Sequence, residues 1–397
     1  MVLDVAQMRA NTPGVVDHIH FNNAGAALPT RQVVARQIEH LELEARLGGY
    51  RAAREVADER AGVRRSIAAL IGASDTEVAL HQSATDAWNM AILAIVSTLR
   101  PATRIVVDRA VYGSHAMTLL QLARRFSLRV SVVGDDALGQ IDVQHLQTLL
   151  ATERVGLVCV THIPTSSGLV NPAEAVGAVC STFDVPMVLD ACQSVGQCPV
   201  DVARIQCTAL SATGRKFLRG PRSTGFLFIR RAAFARFEPL MPDLRAADWT
   251  APDQFRLRED ARRYETWERS HAADLGLGVA VRQLLAVGVE AVWERIEKLA
   301  AYLRDGLAEI PGVSVCDRGA RLCGICTLRV AGHTPVAMVE LLHQRGIRVS
   351  VTHATSAQLD LGARGLDAVL RASVHAYNTE SEVDRFLEAV AALARRP

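Results

Sequence analysis

Short β-rich runs alternate with helical patterns from residue 77 to residue 229, and this alternation leaves the chain few folds to choose from. The runs are EVALH, TRIVVD, LRVSVV, VGLVCVT, VPMVLD, CTALSA and TGFLFI. Helical periodicity fills the gaps at 86–99, 115–126, 143–150 and 173–183. A strand followed by a crossover helix re-enters its sheet in the parallel sense. The pattern therefore predicts an α/β fold with a mostly parallel sheet flanked by helices. Such sheets bind ligands beyond the C-terminal ends of their strands, so polar residues there are the first place to look for chemistry.

The rest of the chain extends this plan. Helices are expected over 31–47, 51–71, 271–287 and 291–309. The stretch 243–269 is rich in Asp, Arg, Trp and Pro, has weak periodicity and reads as a crossing loop. After Gly312 come GVSVC, LCGICTLRV, IRVSVT and VLRASV, with a helical PVAMVELLHQRG among them and a last helix over 380–395. The expected organisation is a segment 1–30 joining the small domain, a large domain over 31–270, and a linking helix with a smaller C-terminal α/β domain over 271–397.

Composition narrows the function classes. A net charge of +2 over 397 residues points away from nucleic acid. No apolar run reaches the ~18 residues of a membrane span, and the N-terminus lacks the order of a signal peptide, so a cytoplasmic protein is expected. Most of the eight cysteines lie in apolar runs, where a thiol behaves as a small buried hydrophobe. Cys323 and Cys326 form a lone C-x-x-C in a strand-like run without a second pair at zinc spacing, so no metal is expected.

Four stretches carry the chemistry. Gln82-Ser83-Ala84-Thr85-Asp86 precedes a helical run, where small and hydroxyl residues offer N–H groups to a phosphate. Thr161 to Gly168 is a polar strand end. Asp190, with Gln193 three residues on, puts a carboxylate at the sheet rim that can keep a ring nitrogen protonated. Lys216 follows the strand CTALSA, set among small polar, cationic and apolar neighbours that lower an amine's pKa. Each stretch alone also fits a plain structural role: an N-cap, a polar loop, a turn Asp, a solvated basic loop.

Taken in this order, the four stretches resemble the class V aminotransferase family of fold-type I pyridoxal 5'-phosphate (PLP) enzymes. The resemblance runs from Phe21-Asn22-Asn23-Ala24-Gly25 to Tyr377-Asn378-Thr379. It implies that Lys216 forms the Schiff base, that Asp190 faces the pyridine nitrogen, and that Gln193 lies near the ring hydroxyl. Ala84, Thr85, Thr213 and Arg215 match phosphate ligands, Tyr112 the residue stacked on the ring, and Thr165 the ring's edge. Arg371 matches the arginine that holds the substrate carboxylate, a bidentate task suited to guanidinium. Asn23 and His353 complete the expected substrate-binding set. A small amino-acid substrate and a homodimer with sites at its interface are implied.

Two departures matter. Desulfurases of this family carry a persulfide-forming cysteine before the final Arg, whereas residues 349–357 here read VSVTHATSA, with no cysteine after Cys326. Relatives also place a Gly-Thr-Pro near residue 267 that reaches a phosphate across the dimer; this chain has RYETWER, leaving Arg269 and Ser270 as substitutes. The motifs around Thr165, Lys216 and Arg371 look most like the epimerase and carbon–sulfur lyase subgroup. A β-elimination lyase is the favoured expectation, with an aminotransferase or amino-acid epimerase next and a non-catalytic PLP-fold binding protein as the contrasting class.

Overall fold

The computed structural model describes residues 3–395. All seven β-rich runs form one sheet, in the spatial order Val78–His81, Gly225–Ile229, Ala209–Thr213, Met187–Asp190, Val155–Thr161, Arg104–Val107, Arg129–Val132. Gly225–Ile229 runs antiparallel to both its neighbours, and the other pairs are parallel. The central strands are buried along their whole length, which is why they read as continuous apolar runs and not as alternating ones.

The second sheet is antiparallel, in the order Val313–Val315, Ile325–Val330, Ala368–Ser373, Ser350–His353. The N-terminal segment packs on this C-terminal part. Ile19–His20 pairs in parallel with Ile347–Arg348, Asn22 bridges to Ser373, and Phe21 meets Phe386 edge to face. No single described helix is long and apolar enough to cross a membrane.

Two expectations need correction. The helix expected over 51–71 is two helices, Gly49–Glu55 and Ala57–Ile71, because Val56 leaves the helical region at φ −108°, ψ 14°. The stretch 243–269 is not only a loop: Ala247–Ala251 and Gln254–Leu257 form an antiparallel hairpin. Most of its residues face solvent on both sides, so no apolar alternation marks it in the sequence.

The hairpin's return segment is held by one carboxylate. Glu265 is buried, accepts the Leu80 N–H at 2.9 Å, and pairs with Arg64 at 2.6 Å and Arg245 at 3.0 Å. Burial alone would raise its pKa, but Arg64, Arg269, Arg245 and the Leu80 N–H together lower it from 4.5 to about 2. A carboxyl with a depressed folded pKa adds stability above its ordinary pKa and loses it as pH falls. Glu265→Gln should therefore cost about 3–5 kcal/mol at neutral pH by leaving buried guanidinium groups unpaired. Denaturant midpoints should also converge between wild type and variant as pH drops from 4.5 towards 2. Equal midpoints at neutral pH would refute this role.

Candidate active site

The large sheet's strands end in a shared cavity. Strand Met187–Asp190 stops at Asp190, so the carboxylate stands at the rim, almost fully buried. Its Oδ1 accepts the Cys192 N–H at 2.9 Å, and its Oδ2 lies 3.4 Å from Nδ1 of His115. Burial lowers the His115 pKa; Lys216 adds to that, while Asp190 opposes it.

Strand Ala209–Thr213 leads into the loop that carries Lys216. The amine makes no hydrogen bond or ion pair within the described chain. Burial lowers its pKa, helped by Arg215 and Arg371 and opposed by Cys192 and Asp190. A deprotonated amine is the nucleophilic form. Lys298, the other lysine of the sequence, sits on the surface, paired with Glu294 at 2.6 Å.

Helix Ala84–Val96 points its N-terminus into the same cavity. Ser83 caps it by accepting the Asp86 N–H at 3.0 Å, and the Ala84 and Thr85 N–H groups make no hydrogen bond among the described residues. Free N–H groups at a helix start form an anion site. Gly225 allows the close approach of its strand: a Cβ there would stand 2.6 Å from Ser83 C and 2.7 Å from Ala84 N.

Ala84, Thr85, Tyr112, Thr165, Asp190, Gln193, Thr213, Arg215 and Lys216 all line this cavity. Arg371 stands beside it, buried, donating from Nη1 to Thr165 O at 3.2 Å and also to Thr165 Oγ1. Its Nη2 donates to Asn22 Oδ1 at 3.2 Å. Two expected residues do not reach the cavity. Asn23 is fully buried, donating to Ser373 O at 2.7 Å and His20 O at 3.2 Å while accepting from Tyr377. It is a clamp between the chain ends, and Asn22 is the neighbour that meets Arg371. His353 ends strand Ser350–His353 exposed and outside the cavity lining. The suggested phosphate substitutes are engaged elsewhere: Ser270 caps helix His271–Val287, and Arg269 bonds Leu80 O and Asp274.

The sequence reading missed His115 and Trp88. Their rings stack 4.0 Å apart at 3°, which fixes the imidazole behind Asp190. The one available signal was a His three residues beyond Tyr112, too weak alone to stand out. Cys192 also lines the cavity.

The family model for aminotransferase class V matches residues 19–386. The chain belongs to this family. Among relatives, it is 28% identical over 386 residues to a probable hercynylcysteine sulfoxide lyase of Mycobacterium tuberculosis, covering 97% of this chain and 92% of the relative. It is 27% identical over 391 residues to a probable cysteine desulfurase of Synechocystis sp., covering 95% and 91%. The apo structure of a cysteine desulfurase from Thermococcus onnurineus NA1 superposes with a TM-score of 0.92 at 24% identity, covering 100% and 99% of the two chains. That likeness establishes the fold-type I architecture.

The family's cofactor is PLP, and the cavity of this class V enzyme fits it on three counts. Among the described residues, the buried Lys216 amine is unpartnered and ready for an aldehyde, two N–H groups are free for a phosphate, and the buried Gln193 Oε1 has no partner. If the helix start is the phosphate seat, Gly225→Ala should displace it and weaken PLP retention at least tenfold, a loss of about 1.4 kcal/mol, with far-ultraviolet circular dichroism unchanged. Dialysis against buffer, followed by the cofactor's absorbance, reads this out. Full retention would place the phosphate elsewhere.

Proposed function

We propose that this class V enzyme cleaves a carbon–sulfur bond at the β-position of an amino acid by direct elimination. Bound PLP supplies an electron sink for the pair released when a bond to Cα breaks. Lys216 is the amine that would bond the cofactor aldehyde, and the base that would take the Cα proton. Asp190 would hold the proton on the ring nitrogen. A neutral His115, held by Trp88, orients that carboxylate without cancelling its charge. The Ala84 and Thr85 N–H groups, with Thr213 and Arg215, seat the phosphate. Arg371, kept straight by Thr165 and Asn22, takes the substrate α-carboxylate. Tyr112, which lines the cavity and is partly exposed, would cover the ring.

The observation that carries elimination over desulfuration is the state of the thiols. Residues 349–357 contain no cysteine. Cys192 is the cysteine that lines the cavity, and burial, reinforced by Asp190, pushes its pKa well above the ordinary thiol value. A protonated thiol is a poor acceptor for sulfur. Without a thiolate to attack the substrate sulfur, the remaining route is departure of sulfur with its bonding pair after the Cα proton has gone to Lys216. The relative named as a sulfoxide lyase supports this reading. The expected products from a β-thio-substituted amino acid are pyruvate, ammonia and a free thiol or sulfur acid, with pyruvate and sulfur product in equal amounts and no protein persulfide. Alanine as the main product with a trapped persulfide would overturn elimination. Pyridoxamine phosphate without pyruvate would move the enzyme to the aminotransferases.

We also propose a homodimer. The hairpin places Trp249 opposite Phe255, and both are mostly exposed, as are Tyr50 and Trp267, which line one cleft. Exposed aromatics of this size mark surfaces that a partner covers. Sedimentation at assay concentration should give a dimer; a fully active monomer would exclude it.

A further inference from the structure

His40 has no exposure to solvent, yet neither of its ring nitrogens makes a hydrogen bond among the described residues. Its Nε2 lies 3.0 Å from Glu44 Oε1, close enough for a hydrogen bond but outside its angular range. A buried imidazole without partners is costly, and such groups call for an ion or a water. His40 and Glu44 stand one turn apart on helix Arg31–Leu47, so both side chains leave the same face. His271 opens helix His271–Val287, which packs along that face, and its ring centroid lies 6.1 Å from that of His40.

One ligand atom from each of His40, Glu44 and His271 falls within 4.8 Å of the others. A tetrahedral ion with bonds of about 2.0–2.1 Å holds its ligand atoms roughly 3.3 Å apart, so small side-chain adjustments close the site. The surrounding charges leave Glu44 free for this task. Glu59 is paired with Arg36 at 2.7 Å, and Asp274 with Arg269 and with Arg60 at 3.7 Å. Glu44 has no Arg or Lys partner among the described residues. Glu44 and His271 also line a cleft of about 830 Å³, which leaves a water position beside them.

We propose that His40, Glu44 and His271 bind a divalent cation of the zinc type, which pins helix Arg31–Leu47 to the start of helix His271–Val287. Two imidazoles and one carboxylate suit such a borderline ion, and the cleft supplies the open fourth position. The site shares no residue with the cofactor cavity, so its test is independent of the reaction.

The test is cobalt titration of chelator-treated holoenzyme. About one equivalent per chain should bind, with the visible bands of a tetrahedral nitrogen and oxygen site and no thiolate-to-cobalt band. Zn²⁺ should displace it and raise the wild-type Tm. Glu44→Gln keeps the side chain's size on a half-buried position and should weaken cobalt binding at least about tenfold, since even outer-shell changes cost that much. His40→Ala should do the same, and Zn²⁺ should no longer raise the Tm of either variant. Absence of cobalt binding to wild type, undiminished binding in Glu44→Gln, or a thiolate band would each overturn the proposal.

Discussion

A lysine amine enclosed without a counter-ion has to be held in place by everything except its own charge. Burial disfavours the ammonium form of Lys216, and the Asp190 carboxylate offsets that only in part. The loop that carries it is correspondingly tied down. Gly214 N–H bonds Thr224 O at 3.0 Å, and Gly220 N–H bonds Gly214 O at 2.8 Å, which closes the loop on itself. Arg219 and Ser223 take left-handed conformations at φ 60° and 57°, which non-glycine residues adopt only when the surroundings demand it. For Arg219 the demand is visible: Nε donates to Leu28 O at 2.9 Å, and the guanidinium lies 4.6 Å over the Tyr377 ring. The cavity, the poised amine and the closeness of Arg215 all follow from that loop being rigid.

The same loop joins the two ends of the chain to the large sheet. Ala27 N–H bonds Arg215 O at 2.9 Å, and the His375 ring meets Phe217 O at 3.0 Å while lying between Phe217 and Tyr377. Tyr377 in turn donates to Asn23, whose amide grips Ser373. Ser373 closes the strand on which Arg371 sits, so the Lys216 loop and the Arg371 strand are connected through a few buried polar contacts. Asn23 thus acts on the site through geometry, holding Asn22 where it can meet Arg371.

What the sequence made legible followed from burial. The seven sheet strands could be read because both faces are covered, which leaves long apolar runs bounded by turns. The hairpin 247–257 escaped because it packs on little and its aromatics look outward. Lys216, Asp190 and Thr85 could be read because the chemistry needs those residue types in that order along the chain. Asn23 and Asn22 could not be told apart, since a motif gives position but not which way each side chain turns in an irregular segment. His115 was hidden for another reason: a single His on an amphipathic helix has no sequence mark of the Trp88 face it stacks on. His40, Glu44 and His271 converge only through the packing of two helices distant in the chain, which no spacing rule records.

Within a family where one fold supports different outcomes for sulfur, the electron sink is common property and cannot decide among them. The decision falls to the groups around the β-substituent. A desulfurase needs a thiolate that can approach the sulfur in line with its bond to carbon, and that requires a mobile, solvated loop with a low-pKa cysteine. Here strand Ser350–His353 is paired in register with Ala368–Ser373, and residues 354–356 continue it as a tight turn. The segment is short, ordered and free of thiols, while the single cavity thiol is buried beside a carboxylate. On the proposed reading, sulfur leaves under the push of electrons from Cα, with Lys216 as the base for the proton and Arg371 as the group that would hold the carboxylate.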